Sequence, residues 1–191
     1  MIPVASHPPP RHRLRAALRR VLACAGALCL LASAAVAQSG AGPADEYRIK
    51  AAFLVNFASF TTWPETSAEM LSLCVYGDDP FGAHLDAVAG RKVGQRSLRV
   101  VRASSVDALD GCEMVFVSRA MIGNLGRVLD RIARRPVLIV ADSPGAVDNG
   151  VMLNMDSGAG RISFSANLAA ARDHGLTLSA RLLNLASEVK Q

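Results

Sequence analysis

The chain is poor in the residues that usually do chemistry. It has four histidines in 191 residues, and only His84 and His174 lie beyond residue 37. Neither stands at a metal-ligand spacing, so a zinc site would have to recruit distant carboxylates. Of the four cysteines, no two form a Cys-x-x-Cys, which excludes a thioredoxin-like redox motif. There is no Gly-x-Ser-x-Gly, no phosphate-binding glycine loop and no cysteine-histidine nucleophile pattern. No apolar run reaches the roughly 20 residues needed to span a bilayer. Nothing in composition or spacing points to an enzyme.

Charge of one sign is missing from the first 37 residues, and that absence explains the basic pI. Arg11, Arg13, Arg15, Arg19 and Arg20 precede the short apolar run Val21 to Leu31, and Ala35-Val36-Ala37 supplies small residues for cleavage. The pattern is that of a secretory signal peptide, 1–37, cut before Gln38. Of the 21 Lys+Arg and 16 Asp+Glu residues, five basic and no acidic ones lie in this leader, so the remainder is electroneutral. The sequence pI near 9.4 therefore belongs to the export signal and gives no nucleic-acid footprint. Residues 38–44 are small and polar and are expected to form a flexible tail, leaving 45–191 as a single domain large enough for a real core.

Export also bears on the cysteines. Cys24 and Cys29 leave with the leader, and Cys74 and Cys112 remain, each in an apolar strand-like run. Two cysteines in an exported chain are expected to meet, and adjacent strands would bring them to bridging distance. A pair of buried free thiols is the alternative.

The segment from Glu46 to Pro64 organises the rest. At helical pitch Ile49, Phe53, Phe57 and Phe60 form one apolar stripe, and Ala51, Leu54, Val55 and Ala58 cover much of the opposite side. Asp45 is the expected N-cap, and the pre-proline Trp63 stops the helix near Thr61–Thr62. A helix apolar on two sides needs two covers, so the second face, Ala51, Leu54, Val55 and Ala58, is a candidate surface for a partner or a second copy of the chain. Beyond it, buried strands are expected at Leu71 to Tyr76, Cys112 to Ser118 and Val137 to Val140, and a strand nearer an edge at Ser97 to Arg102. Helices are expected at Phe81 to Ala89 and Ala120 to Arg134. A hairpin pairs Val151 to Met155 with Arg161 to Ser165. Two helical pieces close the chain, the first capped by Asn167 and the second running from Ser179 to Lys190. Alternating strands and helices predict an α/β three-layer sandwich, with a mixed, mostly parallel sheet and helices on both faces.

Two places could carry chemistry. Asp78 and Asp79 follow the first buried strand, where α/β folds place binding residues, and a carboxylate pair there could hold Mg²⁺ or serve a hydrolase. The constellation of a phosphoacceptor receiver domain is incomplete, because neither the strand ending at Ser118-Arg119 nor that ending at Ala141-Asp142 supplies its missing aspartate and lysine. Arg172 and His174, in the loop before Gly175, form a candidate small-ligand loop for an anionic or aromatic molecule.

Taken in order, Lys50 to Leu54 with Trp63-Pro64, Leu73 to Gly82, Cys112 to Ser118, Val151 to Met155, Arg161 to Phe164 with Asn167-Leu168, and Ser179 to Leu183 resemble the YfiR-type periplasmic proteins over nearly the whole exported part. The resemblance implies a non-catalytic periplasmic repressor without a cofactor. Such a protein binds the sensor region of an inner-membrane diguanylate cyclase, or a similar sensor protein, and lowers cyclic-di-GMP and biofilm formation. It also implies a homodimer and a disulfide between Cys74 and Cys112. Relatives with a second, later cysteine pair have no counterpart here.

Overall fold

The computed structural model describes residues 43–65, 68–158 and 161–191, all within one compact unit, Gly40–Gln191. The expected leader lies outside the described residues, as does the tail except for Pro43 and Ala44, which open the first helix.

That helix, α1 (Pro43–Ser59), starts earlier and ends earlier than its sequence pattern suggests. Pro43 opens it, in keeping with proline's fixed φ at a helix start, and Asp45 sits in the first turn rather than capping it. The chain leaves the helix because Thr61–Thr62 becomes a strand, β1, paired antiparallel with β9 (Thr177–Leu178). The Thr61 hydroxyl helps to close the turn by donating to Phe57 O at 2.7 Å.

The main sheet has eight strands. Its parallel centre is β2 (Met70–Tyr76), β4 (Arg96–Ala103), β5 (Met114–Val117), β6 (Leu138–Ala141) and β7 (Leu153–Gly158), side by side as β4-β2-β5-β6-β7. Strand β3 (Lys92–Val93) folds back antiparallel on β4 at one edge. At the other, β8 (Arg161–Asn167) forms the expected hairpin with β7, and β10 (Glu188–Lys190) lies parallel to β8. Between the strands come α2 (Ala83–Asp86), α3 (Leu125–Ile132), α4 (Leu168–Asp173) and α5 (Ala180–Leu183), with short 3₁₀ turns at Asp107–Leu109, Arg119–Asn124 and Ala146–Asn149.

The centre reads as continuous apolar runs because both faces are covered: every residue of β5 and β6, and all of β2 after Met70, is buried. On one face an aromatic chain joins α1 to the sheet. Tyr47 stands edge-on to Phe81, which meets Phe116 of β5, while Phe53 and Phe57 meet Phe164 of β8. Val115 and Val117 point to the opposite face and are equally buried, and α3 gives Leu125, Val128 and Ile132 to the core. The arrangement is the three-layer α/β sandwich with a mixed, mostly parallel sheet.

Three expected helices change, the first, Phe81 to Ala89, being α-helical only over Ala83–Asp86. Ala120 to Arg134 begins as a 3₁₀ turn, and only Leu125–Ile132 is α-helical. The helix expected from Ser179 to Lys190 stops at Leu183, and the chain turns to become β10. Its apolar spacing is helical, but the open side of β8 supplies backbone partners: the Ser187 N–H and hydroxyl both donate to Phe164 O, at 2.8 and 2.9 Å. Asn167 caps α4 as expected, its Oδ1 accepting from Ala170 N–H at 2.8 Å.

Candidate functional site

The strand order reverses at β2. The chain first moves outward to β4 and then returns to the other side of β2 as β5. In open α/β sheets the crevice beyond the carboxyl ends of the strands at such a reversal is the usual place for a site. Here the residues leaving the three strands are Gly77, Ser118-Arg119 and Asp142-Ser143. They approach closely: a Cβ on Gly77, whose φ is +92°, would lie 2.2 Å from Met121 Cγ and 2.6 Å from Ser118 Oγ.

The first two turns of α1 bring charge into this crevice. Lys50 is fully buried, and its Nζ lies 2.6 Å from Asp142 Oδ2 and 2.6 Å from Glu46 Oε1, one turn earlier. The same ammonium sits 4.6 Å from the centre of the Tyr47 ring. The Tyr47 hydroxyl donates to Asp142 Oδ2 at 3.2 Å, and Arg119 Nε donates to Asp142 O at 2.9 Å. The cluster of Glu46, Lys50, Arg119 and Asp142 is balanced in charge, as burial demands. Burial, reinforced by the Asp142 carboxylate, pushes the Tyr47 phenol up to about 12. The hydrogen bonds from Lys50 and from Ser157 hold the Glu46 carboxyl below its ordinary value.

A polar chain continues into the hairpin. Asn154 Oδ1 accepts from Ser143 N–H at 3.1 Å, Asn154 Nδ2 donates to Asp156 Oδ1 at 2.8 Å, and the Ser157 hydroxyl donates to Glu46 Oε1 at 2.7 Å. Ser118 Oγ, Ser143 Oγ and Asp142 Oδ1 are buried without a hydrogen bond from the protein. The groups of this cluster tie α1 to the end of β6 and to β7.

The residues singled out from the sequence are spread over the molecule. Cys74 and Cys112 are joined, with Cα atoms 5.9 Å apart, tying β2 to the segment entering β5. The α1 face expected to await a partner is closed: Ala51, Leu54, Val55 and Ala58 are all buried in this chain's own core. Phe164 of β8 covers the other stripe, at Phe53 and Phe57, so both apolar sides of the helix are covered within one chain. Its exposed side is polar or small: Arg48, Ala52, Asn56 and Ser59.

Asp78 is exposed, whereas Asp79 is a turn cap. Its Oδ1 accepts from Phe81 N–H at 2.8 Å and from Gly82 N–H at 3.3 Å, and its Oδ2 takes Arg102 Nε at 2.8 Å. Among the described residues no group of three or more His, Cys, Asp or Glu side chains is placed to hold a metal ion. Arg172 is exposed on α4, and His174 Nδ1 lies 2.9 Å from Arg135 O. The side chain of the same Arg135 carries Nη1 to 3.4 Å from Asp110 Oδ1, and its Nε and Nη2 are buried and unbonded.

Sequence reading missed Lys50 and Asp142, because a lysine in a helix and an aspartate in a Gly/Pro-rich loop are ordinary surface residues. Their signal is positional: Asp142 directly follows a buried strand, and Lys50 lies between Ile49 and Ala51 on a helix apolar on two sides.

Comparison with known proteins agrees with this architecture. No curated protein matches the chain significantly. Among solved structures it is similar to an ABC domain in complex with L-Trp from Streptococcus pneumonia, at 10% identity and TM-score 0.50, over 71% of this chain and 58% of that one. It is also similar to a conserved domain protein from Vibrio cholerae O1 biovar eltor, at 9% identity and TM-score 0.51, over 75% and 60%. The chain thus spans less than two thirds of either structure, and at such identities the likeness is one of fold alone. No helix among the described residues is long and apolar enough to cross a membrane. A family described as YfiR/HmsC-like matches residues 47–187, from the first turn of α1 to the residue before β10, and the chain belongs to that family.

Proposed function

We propose that this chain is an exported, non-catalytic regulatory protein of the periplasm. It binds the sensor region of a membrane-anchored diguanylate cyclase and holds cyclic-di-GMP synthesis, and with it biofilm formation, down. The observation that carries this reading is the family match over residues 47–187. The disulfide is consistent with an oxidising compartment. The leader at 1–37 is the proposed route of export, and the proposed acting form is a homodimer without a cofactor. Repression works by linkage: the protein shifts its target by binding the inactive state more tightly than the active one. Deleting the gene should raise cellular cyclic-di-GMP, and restoring an exported copy should lower it; unchanged levels overturn the cyclase reading. Mass spectrometry of the protein from the periplasm should find Gln38 at its amino terminus.

A second reading, a periplasmic small-ligand receptor coupled to another membrane sensor, is favoured by one observation. Arg135 Nε and Nη2 are buried without a hydrogen-bond partner, while its Nη1 lies 3.4 Å from Asp110 Oδ1 and its backbone O lies 2.9 Å from His174 Nδ1. Unsatisfied guanidinium donors suit an anionic small molecule. In a thermal-shift screen a true ligand raises the melting temperature by mass action, and Arg135→Ala should abolish that rise.

A further inference from the structure

The strand that replaced the expected last helix leaves an open edge. β10 ends the strand order, so among the described residues no strand covers its outer side. Exposed sheet edges are templates for another strand. The direction of its backbone groups follows from its neighbours. Asn167 N–H donates to Met152 O on the β7 side, so by alternation Phe164 and Ala166 turn their backbone groups toward β10. The ladder with β8 pairs Glu188 with Ser165, Val189 with Ala166 and Lys190 with Asn167. Glu188 and Lys190 therefore direct their N–H and C=O inward, and Val189 directs its own outward.

We propose that two copies of this chain join edge to edge, β10 against β10 antiparallel, about a two-fold axis at Val189. The proposal deepens the homodimer of the reading above and rests on it. The two edges are self-complementary in charge. With Val189 opposite the partner copy's equivalent residue, Glu188 faces the lysine equivalent to Lys190, and Lys190 faces the glutamate equivalent to Glu188. An isologous interface repeats each contact, so one three-residue strand supplies two ion pairs. The two valines form a hydrogen-bonded pair, each giving an N–H and a C=O. The flanking charged pairs fall at the closely spaced positions, where cross-strand side chains interact most. Lys190 Nζ also pairs with Asp148 Oδ1 of its own chain at 2.9 Å, at an exposed position where the ammonium can be shared between two carboxylates. Leu185, 67% exposed and one of only two exposed large apolar side chains described, lies in the turn that feeds this edge. A single sheet then runs through both copies and leaves the crevice at the carboxyl ends of β5 and β6 free.

The test is sedimentation equilibrium of the purified protein and its variants. Glu188→Lys places like charges opposite each other twice and should raise the dimer dissociation constant about tenfold. The combined Glu188→Lys/Lys190→Glu variant restores opposite charges in the same geometry and should return to within about threefold of the unmodified protein. Val189→Pro removes only an outward-facing N–H, which edge strands tolerate, and should give monomers with the melting temperature of a monomeric control. A chain that is monomeric at all concentrations overturns the proposal. So does a dimer indifferent to Glu188→Lys and Val189→Pro, or a Glu188→Lys defect that the charge swap does not repair. Loss of the dimer with cyclic-di-GMP control intact would leave the repressor reading standing, whereas an intact edge dimer with no effect of gene deletion on cyclic-di-GMP would overturn that reading alone.

Discussion

The two ends of the sheet each carry an ion pair, and they are built on different principles. At the amino end Arg96 Nη2 bonds both oxygens of Glu113, the side chains being 15% and 25% exposed. Glu113 Oε2 also accepts from Ser72 N–H, and Trp63 Nε1 donates to Glu113 O. The neighbouring residue, Cys112, carries the disulfide to Cys74. At the carboxyl end no covalent tie exists among the described residues, and Lys50 and Asp142 are 0% and 1% exposed. Water can solvate an orphaned partner at the amino end and cannot at the other. The same pairing chemistry is therefore auxiliary at one end, beside a cross-link, and obligatory at the other.

The strongest way to break this contrast is to remove one buried charge. Asp142→Ala leaves the Lys50 ammonium buried with only Glu46 beside it, and should cost about 3–5 kcal/mol in urea unfolding. Replacing both partners, Lys50→Met with Asp142→Leu, should recover part of that loss, because two desolvation penalties vanish with the pair. If Asp142→Ala costs no more than Arg96→Ala, the two ends do not differ as described.

Next in size is the covalent tie. Converting Cys74 and Cys112 together to alanine opens a loop of 38 residues and should destabilise the fold by about 4 kcal/mol in the chain-entropy model. Adding reductant to the unmodified protein should reproduce most of this loss in the same unfolding assay, while the double variant should be indifferent to reductant. Arg96→Ala then tests the auxiliary pair, with an expected loss of about 1.5–3 kcal/mol, the range of a hydrogen bond to a charged group.

How far this contrast could be read in advance depended on what kind of signal each end carries. The amino end was legible through its cysteines, whose rarity makes them conspicuous. The central strands β2, β5 and β6 were legible as apolar runs, and Asn167 as a helix cap, because each is a local pattern. The second face of α1 misled for the opposite reason: Ala51, Leu54, Val55 and Ala58 show that burial is needed, and nothing local says whether the cover comes from the same chain or from another molecule. The Lys50–Asp142 pair spans 92 residues and arises only when the sheet places the end of β6 under α1. The last strand was hidden by the helical spacing of Leu182, Leu185, Ala186 and Val189, which lost to the backbone partners that β8 holds open. Lone pairs on a neighbouring strand leave no trace in hydropathy.

The smallest effect separates the two ends by pH. The Tyr47 phenol is pushed up to about 12 in the folded chain by burial and by the Asp142 carboxylate, against about 10 when unfolded. The neutral phenol is thus the form the fold prefers. Its contribution is present in full below pH 10 and is lost as pH rises from about 10 to 12, because the unfolded chain releases the proton first. Glu46 has the opposite sign: its carboxylate is favoured by Lys50 and Ser157, so its contribution is present at neutral pH and fades as pH falls through the acid range. Tyr47→Phe removes one long hydrogen bond to a carboxylate, a loss of about 1.5 kcal/mol at pH 7. The difference in unfolding free energy between this variant and the unmodified protein should shrink across pH 10 to 12. A difference that stays constant over that window would mean that the phenol does not titrate with folding, and that Asp142 is held by Lys50 and Arg119 without it.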